Sequence, residues 1–139
     1  MPAQYPRLRA TVLDTTDTRG LAEFYRQLLG FTYRPGHEVD DPAGDDWLVL
    51  DDAAGEARLA IQRVDELPRS TWPATAVPQQ LHLDLTVPTP DDLAEQRDRA
   101  LALGATILDD RFDNPEEPLY VFADPAGHPF CIFVVPERA

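Results

Sequence analysis

The chain has 139 residues, enough for one domain with a real core and too few for two ordinary ones. Twelve Lys and Arg against 25 Asp and Glu give a formal charge of −13, which repels nucleic-acid phosphates and excludes DNA or RNA as a partner. At 43% hydrophobic and 9% aromatic, the composition is globular rather than disordered, and the charge suits a solvated acidic surface or a cationic ligand.

Residues 7–15, RLRATVLDT, predict a strand. Asp17 is the expected N-cap of the helix that follows. In that helix Leu21, Phe24, Tyr25 and Leu28 fall at i, i+3, i+4 and i+7 and make one apolar face. Gly30 ends it, as a residue tolerant of the left-handed conformation. Short strands are expected at about 31–35, 46–51 and 57–63, with AAGE at 53–56 as the hairpin between the last two.

The same order then recurs. QLHLDLTV, 80–87, alternates as a strand, and Thr89 with Asp92 resembles a capping box before a helix over about 90–103. Gly104 closes that helix in LALGAT, as Gly30 closes the first in QLLGFT. Strands are expected at about 105–109, 119–123 and 129–135, with DPAGHP (124–129) as the turn joining the last two. Module one therefore covers about 6–64 and module two about 79–136 of a single domain, 1–139. Pro68, Pro73 and Pro78 mark the linker at about 65–78.

A single Cys131 excludes an internal disulfide framework and a cysteine-only metal cluster. No apolar run reaches spanning length and no basic-then-apolar leader is present, so a soluble cytoplasmic protein without membrane contact is expected. GxGxxG and GxxxxGK are both absent, so no phosphate loop is expected. The DD pairs at 40–41, 45–46, 51–52, 91–92 and 109–110 read as loop and surface charges.

LAEFYRQLLGF (21–31) and FADPAGHPFCIF (122–133) resemble the first-helix and closing-turn signatures of the vicinal oxygen chelate superfamily. That superfamily includes glyoxalase I, the bleomycin-resistance proteins and the extradiol dioxygenases. STWPATAVPQQLHLDLTV (70–87) together with DPAGHPFC is similar to an actinobacterial subgroup of glyoxalase-like domains. The resemblance implies an α+β fold. Two βαβββ modules would form a cup-shaped, mixed β-sheet with helices outside, the ligand in the cup, in a homodimer.

Metalloenzymes of the superfamily take one ligand from the first and one from the last strand of each module. Carried over, those positions are Ala10 and the neighbourhood of Ala60 in module one, and His82 and Cys131 in module two. Gln62 replaces Ala60 only if the register slips. Two alanines cannot bind metal, and a His–Cys pair suits a hard, oxygen-loving ion poorly, so no metal and no cofactor are expected.

Alternation over 80–87 puts Leu81, Leu83, Leu85 and Val87 on one face, beneath a helix, and Gln80, His82, Asp84 and Thr86 on the other. His82 and Asp84 then stand roughly 6–7 Å apart along the strand. Two readings stay open: an acid–base pair in which Asp84 raises the basicity of His82, or a structural hydrogen-bond cluster. Trp47, Gln62, Trp72, Gln80, His82 and Cys131 are the expected ligand contacts. Trp72 is either a stacking platform or a packed TWP corner, and Trp47 faces either core or cup. His128 reads as a turn residue beside Asp124, and Cys131 as an inert buried thiol.

The function expected is a metal-independent small-molecule binding protein of the bleomycin-resistance type, for a cationic or aromatic ligand. The alternatives are a lyase, isomerase or dioxygenase-type enzyme using His82 and Asp84 or an atypical metal site, and an interaction module whose cup is self-filled.

Overall fold

The structure, a computed structural model, describes residues 5–39 and 45–137. The chain divides into two compact units, Met1–Glu66 and Leu67–Ala139, each built as strand, helix and three strands. Among the described residues no helix is long and apolar enough to cross a membrane.

In the first unit β1 (Thr11–Thr15) leads into α1 (Thr18–Leu29), followed by β2 (Thr32–Tyr33), β3 (Trp47–Asp51) and β4 (Ala57–Arg63). The sheet order is β1-β4-β3-β2; β1 runs parallel to β4, and the other pairs are antiparallel. Asp17 caps α1 by accepting from the Gly20 N–H at 3.0 Å, and Gly30 ends it in the left-handed region at φ 70°. The four apolar positions expected of α1 are all buried, and they pack beside Leu13, Leu48, Leu50, Leu59 and Ile61. The 53–56 hairpin forms as expected, with Gly55 at φ 80°.

In the second unit β5 (Leu83–Val87) precedes α2 (Pro90–Leu103), then β6 (Thr106–Arg111), β7 (Leu119–Ala123) and β8 (Pro129–Val134). The order β5-β8-β7-β6 repeats the first sheet's pattern, again with one parallel pair, β5 with β8. Thr89 caps α2 through the Asp92 N–H, and its own hydroxyl donates to the Asp92 carboxylate at 2.8 Å. A stacked Phe122–Phe130 pair and Tyr120 fill the core under α2, whose Arg97 donates to the Tyr120 hydroxyl at 2.9 Å. Residues 67–78 belong to this unit: Arg69 donates to the Pro125 carbonyl at 2.9 Å, and Thr71 closes the 71–77 loop on Val77.

Two strand starts differ from the sequence expectation. β1 begins at Thr11, not residue 7, because its pairing with β4 starts at Thr11↔Leu59. β5 begins at Leu83, not Gln80. Gln80 takes φ 61°, which breaks the extended backbone, and Leu81 turns back onto the Gln79 carbonyl. Leu81 is consequently 55% exposed instead of lying beneath a helix, and Gln80 drops out of the alternating polar face. Of the acidic pairs read as surface charge, Asp45 and Asp51 are buried; 40–41 lie outside the described residues. Asp45 goes inward because Arg19 binds its carboxylate through two nitrogens, at 2.8 and 3.0 Å.

Candidate functional site

β5 and β8 position the main cluster. Leu83 and Leu85 stand beside Phe130 and Ile132 and share their face with Tyr120, which Arg97 of α2 contacts. Strand alternation turns Asp84, Thr86, Cys131 and Phe133 to the opposite face. Asp84 is the direct ladder partner of Cys131, whose other neighbour is Val121 and, beyond it, Asp109.

His82, one residue before β5, leans onto Asp84, with Nε2 to Oδ1 at 3.1 Å. The 6–7 Å expected from strand geometry is a backbone spacing, which the two side chains close. One ligand atom each from His82, Asp84 and Cys131 lies within 4.8 Å of the others. The two polar side chains are well exposed, at 40% and 56%. Burial, and then the Asp84 charge, push the Cys131 thiol up, while Arg111 opposes them.

The other expected contacts fall into separate places. Trp47 and Gln62 are ladder partners at one end of the first sheet, on the face turned away from α1. Trp47 is 44% exposed, while Val49, two residues on, is buried with Ala57 and Ala60. Trp72 is half-buried in its hydrogen-bonded corner, its N–H donating to Ser70 Oγ, and the Trp72–Pro73 peptide is cis. Gln80 is exposed in its left-handed turn. His128 is the turn residue expected: its Nδ1 lies 2.9 Å from buried Asp124, which also accepts from the N–H groups of Ala126 and His128.

The ladders also match the two units to each other. Ala10 and His82 each stand one residue before the first strand of their unit, and Val12↔Ala60 corresponds to Asp84↔Cys131. Strand pairing thus makes Ala10 the counterpart of His82, and Ala60 the counterpart of Cys131. Sequence reasoning treated Asp84 only as the partner of His82. Its approach to Cys131 follows from parallel β5–β8 pairing, a signal available from the repeat of the first unit's topology. A second group that sequence reasoning missed lies on α1 and β2. Glu23 accepts from Arg26 at 2.7 and 2.9 Å and from the Tyr33 hydroxyl at 2.6 Å, while Arg19 sits over the Tyr33 ring at 4.9 Å.

Two units of the same strand, helix and three-strand order define the class of fold. The family model of the Glyoxalase-like domain matches residues 10–133, and the chain belongs to that family. The fold is similar to that of a glyoxalase/bleomycin resistance protein/dioxygenase family enzyme from Burkholderia phytofirmans PsJN. That match has 18% identity and a TM-score of 0.67, covering 91% of this chain and 97% of that one. It is also similar to the fosfomycin resistance protein FosX from Listeria monocytogenes, complexed with Mn(II) and sulfate. There the identity is 17% and the TM-score 0.66, over 95% and 94% of the two chains. A possible glyoxalase from Bacillus cereus matches at 13% identity and a TM-score of 0.62, over 91% and 96%. No curated protein matches.

The Mn(II) of the FosX structure does not fit the residues here. A hard ion takes oxygen and nitrogen donors. Ala10 and Ala60 supply none, and Cys131 supplies sulfur.

Proposed function

We propose that this chain is a small-molecule binding protein of the glyoxalase and bleomycin-resistance type, which recognises its ligand without a hard divalent ion. The observation that carries this reading is the pair of methyl side chains, Ala10 and Ala60, at the positions of the first unit equivalent to His82 and Cys131 of the second. The ligand class is a cationic or aromatic organic molecule. Asp84 and the −13 charge favour a cation. Action in the cytoplasm as a homodimer belongs to the same reading.

The test is tryptophan fluorescence, from Trp47 and Trp72, titrated with a panel of cationic and aromatic compounds in the presence of a metal chelator. A saturable response is expected for at least one compound. Silence across the panel, or a response that needs added Mn(II), sinks the reading.

The 3.1 Å contact of His82 with Asp84 favours a second reading, in which the carboxylate orients the imidazole as a general base for lyase, isomerase or dioxygenase-type chemistry. If a compound from the panel is turned over, His82→Ala removes turnover and leaves Tm within a degree or so. Turnover that survives the substitution excludes His82 as the base.

A further inference from the structure

We infer that His82, Asp84 and Cys131 form a three-donor site for a thiophilic divalent ion of the Zn(II) or Co(II) class, in place of a Mn(II)-type site. The three residues offer one nitrogen, one oxygen and one sulfur, drawn from a single unit of the chain. Their ligand atoms lie within 4.8 Å of one another. Donors around one tetrahedral zinc stand about 3.5 Å apart, given metal–ligand bonds of about 2.0–2.3 Å. Side-chain rotation alone closes that difference, because the backbone is already set. Asp84 and Cys131 are cross-strand partners, and His82 already touches Asp84.

Donor chemistry decides which ion. A thiolate selects zinc and cobalt over manganese and magnesium, which prefer oxygen shells. Three protein ligands leave a fourth position open to water or a ligand, the pattern of accessible rather than sealed zinc sites. The exposed edges of His82 and Asp84 give the ion a way in. Asp109, on β6 and separated from Cys131 by Val121 of β7, is already engaged by Arg111 at 2.8 Å, which leaves the trio as the donor set.

This inference does not rest on the ligand-binding reading, which is tested in chelator and can fail or stand alone. Its own test is Co(II) titration of metal-free, reduced protein, followed by absorption. A near-ultraviolet thiolate-to-cobalt charge-transfer band is expected, saturating at one ion per chain and bleached by Zn(II). Zn(II) should raise Tm, and Mn(II) or Mg(II) should not. Cys131→Ser should abolish the band, and Asp84→Asn should weaken Co(II) affinity about tenfold or more. The Tm of each metal-free variant shows that it is folded. An absent band, a band that survives Cys131→Ser, or equal Tm shifts from Mn(II) and Zn(II) would overturn the site.

Discussion

The Glu23 carboxylate is shared by Arg26 and the Tyr33 hydroxyl, and the pairing shows in its acidity. Arg26 first, with Tyr33 helping and burial opposing, pulls Glu23 from an ordinary 4.5 down to about 2. A depressed carboxylate stabilises the fold above its unfolded value and loses that contribution as pH falls through its folded one. The window is therefore about 4.5 down to 2. The side chain is 37% exposed, so solvent screening holds the gain to about 1 kcal/mol or less. Glu23→Gln should lower stability by that amount at pH 7, and the gap should shrink as pH drops below 4.5. Denaturant midpoints of both proteins at pH 7, 4 and 3 check this; a gap that widens on acidification refutes it. The i, i+3 spacing of Glu23 and Arg26 is local to the helix, but the Tyr33 contact was not legible in the sequence, because it forms only once β2 lies against α1. Asp17, by contrast, was legible: a cap acts within three residues of itself, and local sequence contains its whole partner set.

At the scale of elements, the helices were legible to within a residue, and so were the strand starts except those of β1 and β5. Each helix is bounded by local chemistry: Asp17 or Thr89 at its start, Gly30 or Gly104 at its end. A strand ends where its partner ends, and that partner is distant. The apolar alternation of 80–87 pointed to a strand from Gln80, yet Gln80 turns at φ 61° and leaves β5 to begin at Leu83. The helix-end glycines give a clean measurement. A Cβ built on Gly30 meets nothing within 4 Å, so substitution there tests backbone strain alone. At φ 70° an alanine should cost about 1 kcal/mol. Asparagine visits this region more readily and should cost less. Thermal unfolding of Gly30→Ala and Gly30→Asn decides it: equal losses would mean that left-handed strain is not the cause.

At the scale of the whole molecule, the fold was legible because its pattern is written twice, and the charge because it is a sum. The candidate site was legible only in part. His82 and Cys131 stood out as residue types, but their convergence with Asp84 depends on which strands pair and in which register. The −13 charge has its own consequence. Arg19, Arg26, Arg58, Arg63, Arg97 and Arg111 each pair with a carboxylate, and the 25 acids far outnumber such partners. Exposed pairs are worth about 0–1 kcal/mol each, while the surplus acids repel one another across the surface. Salt screens both, shrinking the Debye length from about 30 Å at 0.01 M to about 10 Å at 0.1 M. Close pairs at 2.7–3.4 Å lie well inside that length and lose little. Repulsion between separated acids loses most. Tm at pH 7 should therefore rise as NaCl goes from about 0.01 to 0.1 M and then flatten, since further screening has less left to remove. Differential scanning fluorimetry in NaCl and KCl gives the answer, and agreement of the two salts excludes an effect specific to one cation. A Tm that falls with salt would mean that the arginine pairs outweigh the acidic surplus.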